Sequence, residues 1–287
     1  MNRLAARFRR VSTRTIASAL PLLALGAAAP ESAHAPHVVV IVTHEFAFDL
    51  PQTIPAGVTT FELRNRGKLA HHVGVMRLDS GHTAADGLAA LIKAGHGVRP
   101  AWLHPIGGPQ AAMPGESANT TLVLEPGSYL AFCEIPGPDR ARHYAKGMVK
   151  AFTVTPPSKP GKLPASDIAI HLVDFDFVLS HPLTRGHHVI AITNSAAQPH
   201  MVAIRRYPVD YPAGTAAKEL AAWAADPQGK LAPGRAEGGV TEISPGSTVV
   251  TSRDFRPGMY LLICFSSDAT DGKPHFAHGM QKEIIVR

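Results

Sequence analysis

Cysteine is scarce in this chain: 287 residues contain two, Cys133 and Cys264. That excludes a disulfide-stapled scaffold. Charge is scarce too, with Asp, Glu, Lys and Arg making up 17% of the residues and aromatics 6%. Lys and Arg outnumber Asp and Glu by 28 to 22. Five of those arginines (Arg3, Arg7, Arg9, Arg10 and Arg14) and one acid (Glu31) lie in the first 35 residues, so the remainder carries 23 basic against 21 acidic groups. A body so close to neutrality has no electrostatic footprint for nucleic acid. No apolar run after the N-terminus is long enough to span a bilayer. There is no G-x-S-x-G, no HExxH, no phosphate loop and no dinucleotide fingerprint. The acidic residues read as solvated. What is abundant is Gly and Pro, 25 each, and His, 16 in all. The first two indicate a turn-rich globular protein. The histidines are the first hint of metal chemistry.

Residues 1–35 read as an address. Arg3, Arg7, Arg9 and Arg10 precede an apolar run, Ile16 to Ala29, which ends at Ser32-Ala33-His34-Ala35. Ala33-x-Ala35 fits a signal-peptidase site, and the run is too short and too Ala-rich for a membrane span. Arg9-Arg10 allows a twin-arginine route, although FRRVSTR matches that signal only in part. No cysteine lies near the cleavage site, which excludes a lipoprotein anchor there. The expected location is periplasmic or secreted.

The rest is one domain written twice. EFAFDL at 45–50 recurs as DFDFVL at 174–179, an offset of 129 that also aligns Asn65 with Asn194 and His71 with His200. At an offset of 131, Gly107-Gly108 meets Gly238-Gly239, Tyr129 meets Tyr260, and Cys133 meets Cys264. HYAKGM at 143–148 meets HFAHGM at 275–280 at an offset of 132. Two long copies are tandem domains rather than a solenoid. The expected boundaries are 36–155 and 166–287, joined by a stiff proline-rich linker at 156–165. Within each copy the apolar pattern has period two, broken by Pro-Gly turns, which predicts short strands. Each copy has one helical interruption: Thr83 can cap Ala84 to Ala94, and Thr215 can cap Ala216 to Ala225. Seven or eight strands per copy imply an all-β protein of two Greek-key β-sandwiches, each with one short inserted helix.

Each copy offers the same four side chains in the same order. They are His71, Cys133, His143 and Met148 in the first, and His200, Cys264, His275 and Met280 in the second. Two imidazoles, a thiolate and a weak thioether suit both oxidation states of copper and are the donor set of a blue-copper site. Taken singly, a buried Cys is commonly a small hydrophobe and a lone His a packed residue. Matched sets in two copies favour ligation. The repeat selects His71 over its neighbour His72, because strand neighbours point to opposite faces. Equivalent places in two repeats put the cysteines in separate cores, out of disulfide reach. His44, His187 and His188 have no repeat partners and read as surface or strand residues. His278 reads as solvent-facing.

With these residues quoted, each copy resembles the cupredoxins over nearly its whole length. The resemblance rests on Asn65 to His71, YLAFC and HYAKGM in the first copy, and on Asn194 to His200, YLLIC and HFAHGM in the second. It implies a cupredoxin-like sandwich holding up to two coppers per chain. The ligand loops, C-x9-H-x4-M and C-x10-H-x4-M, are longer than in small blue-copper carriers and similar to those of two-domain copper nitrite reductases. Those enzymes place a ligand of a second, catalytic copper immediately before the Cys, where this chain has Phe132 and Ile263. The His-Cys-His of multicopper oxidases is absent too. The resemblance therefore implies an exported type 1 copper electron-transfer protein, working with a redox or copper-exchange protein partner. Copper capture or delivery, and a metal-free cupredoxin-like interaction protein, stay open as alternatives. An enzyme would need a site for which the spacing gives no support.

Overall fold

The structure is a computed structural model and describes residues 35–95, 97–156, 161–227 and 229–287. The expected signal segment lies outside the described residues up to Ala35, as does the middle of the expected linker. The first copy runs β1 (His37–His44), β2 (Ala47–Asp49), β3 (Thr53–Pro55), β4 (Gly57–Asn65), β5 (Gly74–Leu78), α1 (Ala84–Ala94), β6 (Leu103–Gly107), β7 (Ser117–Leu124), β8 (Gly127–Phe132) and β9 (Val149–Thr155). The second runs β10 (Ile168–Val173), β11 (Asp176–Leu179), β12 (Gly186–Asn194), β13 (His200–Tyr207), α2 (Thr215–Ala225), β14 (Arg235–Ile243), β15 (Thr248–Phe255), β16 (Gly258–Ile263) and β17 (Gln281–Val286). Apart from the extra edge strand β3, the two lists match element for element.

Period two is realised as one face in and one face out. In β4, Phe61, Leu63 and Asn65 point inward and are fully buried. Two sheets stack into a sandwich, and each copy has a tyrosine corner on the nine-stranded sheet. Tyr129 Oη donates to Glu125 O (2.7 Å) and Tyr260 Oη to Arg256 O (3.0 Å), a device of Greek-key sandwiches.

The two copies join along both layers. One sheet reads β11-β10-β12-β15-β7-β4-β1-β2 and the other β17-β16-β13-β14-β6-β5-β8-β9-β3. The seams are β15 on β7 (Val250 opposite Thr121) and β14 on β6 (Ile243 opposite Ile106). Asn119 reinforces the first seam: its Nδ2 donates to Ser252 O (3.0 Å) and its Oδ1 accepts from Ser252 N–H (2.9 Å). Each copy thus covers the edges that the other would otherwise expose. The expectation of two separate cores is corrected here. Buried residues of both copies, Cys133 and Cys264 included, form one contiguous apolar cluster, because both sheets run through the joint. Both thiols are free.

Each helix lies on the outer face of the nine-stranded sheet. Thr83 caps α1 with a full capping box, its Oγ1 accepting from Asp86 N–H while Asp86 accepts from Thr83 N–H. The second cap departs from expectation. Thr215 is the first helical residue, and Gly214 (φ 74°) holds the cap position, with its N–H donating to Glu283 (2.9 Å). Glycine holds that left-handed conformation without the strain it would impose on a threonine. The reading of the acids as solvated also fails in places. Glu237 and Glu242 are buried, because arginines reach them: Arg206 Nε lies 2.8 Å from Glu237, and Arg99 pairs with Glu242. Among the described residues no helix is long and apolar enough to cross a membrane.

The repeated Gly-Gly pairs have a steric cause. A Cβ on Gly108 (φ 144°) would lie 2.0 Å from Val73 O, and one on Gly239 (φ 111°) would lie 2.1 Å from Val202 O. These are matching positions, where one strand crosses the segment carrying the first histidine. Gly108→Ala is expected to cost about 2–4 kcal/mol, through backbone strain and overpacking. Gly115→Ala, also at positive φ (78°) but with nothing within 4 Å, is expected to cost about 1–2 kcal/mol. Urea unfolding of the two variants checks the order; equal losses would contradict the close approach.

Candidate metal centres

The first histidine of each copy follows a turn held by a buried asparagine. Asn65 Nδ2 donates to Leu69 O (2.7 Å) and Ala112 O (2.9 Å), and its Oδ1 accepts from Gly67 N–H (2.8 Å). Asn194 does the same with Gln198 O, Ile243 O and Ala196 N–H. A buried amide that meets three demands at once fixes the loop, and with it the histidine that follows. The resemblance used these asparagines as landmarks; their role is to position His71 and His200.

The other ligand types come from the loop between the last two strands of each copy. Cys133 N–H donates to Met148 O (3.1 Å), Tyr144 N–H to Cys133 O (2.8 Å), and Met148 N–H to His143 O (3.0 Å). A one-turn helix begins at His143 and ends at Gly147, whose left-handed φ (99°) turns the chain back toward β9. Cys264, Phe276, Met280, His275 and Gly279 repeat every one of these contacts. The loop is long in sequence but tied at both ends.

These elements bring His71, Cys133 and His143 together, and likewise His200, Cys264 and His275, with one donor atom of each residue within 4.8 Å of the others. All six are fully buried. In the first centre His71 Nδ1 lies 3.2 Å from His143 Nδ1, and Cys133 Sγ lies 3.5 Å from His143 Nδ1. In the second, Cys264 Sγ lies 3.7 Å from His200 Nδ1 and 3.4 Å from His275 Nδ1, with the imidazoles 2.8 Å apart. Met148 and Met280 are fully buried and adjoin the trios through the backbone bonds above.

His72 turns away. Its Nδ1 faces Gln110 Oε1 (3.1 Å) and its Nε2 accepts from Glu134 N–H (2.8 Å). It is buried as a brace between strands. His44 and His187 are exposed, while His188 is mostly covered and pairs with Asp167. His278 is exposed and forms with Asp268 and Asp271 a third, surface cluster of metal-capable groups.

Three contributors escaped the residue pattern. Phe46 (φ 63°) and Phe175 (φ 66°) sit edge-on to His143 and His275, with ring centroids 5.1 and 5.3 Å apart. Both hold a left-handed conformation unusual for a bulky residue. The repeated EFAFDL and DFDFVL segments carried the signal, since these phenylalanines lie 129 apart like the histidines. The third is Asp174, whose Oδ1 lies 2.9 Å from His200 Nε2. Its counterpart Glu45 instead accepts from the Lys68 and Leu69 N–H groups. The Nε2 atoms of His71, His143 and His275 have no hydrogen-bond partner among the described residues. The two centres therefore differ in what supports the first imidazole.

No protein-family model matches the sequence, and no curated protein matches it. Solved structures do. An auracyanin from the photosynthetic bacterium Roseiflexus castenholzii is 26% identical, covering 43% of this chain and all of its own (TM-score 0.31). Auracyanin A from Chloroflexus aurantiacus, a "blue" copper protein, is 24% identical over 42% of this chain and all of its own (TM-score 0.31). A copper-containing nitrite reductase from Thermus scotoductus is 10% identical over 87% of this chain and 61% of its own (TM-score 0.22). Each half of the chain is a cupredoxin-like domain.

Burial dominates the electrostatics. It pushes the thiols of Cys133 and Cys264 up to about 12, so both are protonated without a cation. It pulls His71, His143 and His275 down to about 4, and lowers His200 against the opposing pull of Asp174. The folded state thus favours neutral imidazoles, while the unfolded chain takes up protons from about pH 6.5. In metal-free protein, stability is full above about pH 6.5 and is lost as pH falls toward about 4. Urea midpoints measured from pH 7 to 4.5 check this; a flat profile would contradict the burial of these imidazoles.

Proposed function

We propose that the chain is an exported copper protein that passes single electrons, with one mononuclear site in each cupredoxin-like domain. The observation that carries this reading is the twofold occurrence of a fully buried His-Cys-His group with converging donor atoms. The size of the group fits a metal. A first-row ion about 2.0–2.1 Å from each nitrogen and about 2.3 Å from sulfur sets tetrahedral edges of about 3.4 Å (N–N) and 3.6 Å (N–S). The first centre shows 3.2 and 3.5 Å. The second has its imidazoles closer, at a distance where one ring can also donate a hydrogen bond to the other.

The donor set selects the metal class. Thiolate with imidazole, beside a thioether, favours copper over hard cations, and bound copper supplies one-electron chemistry between Cu(I) and Cu(II). The residues do the remainder. Cys133 and Cys264 would ligate as thiolates after losing their protons, and the backbone N–H groups of His72 (3.5 Å) and Met201 (3.4 Å) point at the two sulfurs and stabilise that charge. Phe46 and Phe175 shield the second imidazoles from water. Asn65, Asn194 and the tied loops hold the donors in place. That rigidity supports a carrier that changes charge with little rearrangement. Delivery to another protein needs at least one reachable donor, and all six are buried. The export element of the proposal rests on residues 1–35 alone.

Cu(II) added to the purified protein is expected to give an intense thiolate band near ~600 nm, with up to two coppers per chain. Cys133→Ser together with Cys264→Ser should abolish it, and each single variant should retain the other domain's share. No band and no stoichiometric copper in either oxidation state would sink the proposal; tight Cu(I) binding without a band would favour capture or delivery.

A second expectation follows from the unequal support of the first imidazoles. Asp174→Asn should weaken copper binding at the second centre by about 10–100-fold, while Glu45→Gln changes the first by no more than about 3-fold. Competitive titration against a chelator resolves the two sites; equal losses would remove the assigned role of Asp174.

A further inference from the structure

On the outer face of the nine-stranded sheet, where β14 meets β6, lies a cavity of about 560 Å³. It sits between the two inserted-helix regions and is built from both copies. Its volume is in the range of small-molecule sites. Among the described residues, five cationic side chains line it against two carboxylates, Glu134 and Glu242. Both carboxylates are committed to arginine: Arg99 pairs with Glu242 and with Glu134 (3.3 Å), and Arg142 with Glu134 (3.4 Å).

Arg205 is different. It lines the cavity from β13 and is only 6% exposed. Its Nε and Nη1 are buried with no hydrogen-bond partner, and among the described residues no carboxylate forms an ion pair with it. Burial with no acidic neighbour lowers its pKa to about 10, which still leaves it charged at neutral pH. A buried guanidinium without a counter-charge is unfavourable, and a ligand anion removes the penalty. Nη2 is the guanidinium nitrogen not closed off in this way, and its N–H groups offer a carboxylate a charge-assisted hydrogen bond. The rest of the wall is not built for a bare inorganic ion. Trp223 and Phe265 meet edge to face (6.0 Å) and, with Leu231 and several prolines, give the cavity an apolar side.

We propose that this cavity binds a small organic carboxylate, with the carboxylate on Arg205 and an apolar or aromatic body against Trp223 and Phe265. The proposal goes beyond the copper reading and does not depend on it. It also has a place in the architecture. His72 and Glu134 reach the cavity from positions next to His71 and Cys133, and Met201 and Phe265 from positions next to His200 and Cys264. An occupant would lie behind the strands that carry both centres.

The test uses the metal-free full chain with benzoate as probe, and neutral benzamide and sulfate at matched ionic strength as controls. Benzoate at several times its dissociation constant should raise the melting temperature by about 2–4 °C, and benzamide and sulfate should not. Arg205→Gln should abolish the benzoate response and leave the unliganded protein at least as stable, since it removes an uncompensated buried charge. Should that variant fail to fold, Arg205→Lys keeps the charge but puts a shorter, more strongly hydrated ammonium in place of the guanidinium, and should weaken benzoate binding at least 10-fold by calorimetry. No response to benzoate, an equal response to benzamide or sulfate, or an undiminished response in the folded Arg205 variant would each overturn the proposal.

Discussion

Each centre depends on a short ring of backbone hydrogen bonds around its cysteine. The Cys133 N–H bond to Met148 O and the Tyr144 N–H bond to Cys133 O tie the start of the ligand loop to its end. The same pair recurs from Cys264 to Met280 and from Phe276 to Cys264. Without these ties, a nine- or ten-residue excursion between Cys and His would carry a large ordering cost whenever the donors had to meet. With them, the second histidine begins a one-turn helix directly beside the thiol. The rest of each half serves this arrangement. The sandwich supplies a dry interior, the asparagine turn presents the first histidine, and a strained phenylalanine covers the second.

The second organising feature is the joint between the copies. Two sheets running unbroken through both halves make one interior, and they place the outer faces of the copies side by side. That placement creates the arginine-lined cavity, which neither half could form alone. It also draws buried acids into the seam: Glu242 from one copy and Glu134 from the other share Arg99. A near-neutral chain can bury such groups because each carboxylate has a guanidinium within reach.

How much of this was legible varied with the range of the interaction. Strands, turns and α1 follow from local patterns: period-two alternation in β4, and the Thr83–Asp86 capping box. The boundary of α2 was misplaced because a left-handed Gly214, stabilised by distant Glu283, took the cap position from Thr215. The choice of His71 over His72 was open to the repeat pattern and to strand alternation, and it is the His71 imidazole, not that of His72, whose donor atom groups with Cys133 and His143. Phe46, Phe175 and Asp174 lay in plain view inside the repeated segment. Their role was hidden because it depends on where a β-turn falls across the end of the sandwich.

The sequence by itself determined the fold class, the duplication and the order of the ligand types, since these are written in local periodicity and in residue identities at constant offsets. Tertiary structure decided what those residues face. It converted two cores into one, because strand edges pair wherever edges meet. It gave Asp174 to His200 and denied Glu45 to His71, because a side chain bonds the nearest available donor. It left Arg205 buried without a counter-charge, because charge balance is a property of neighbours in space and not of neighbours in the chain.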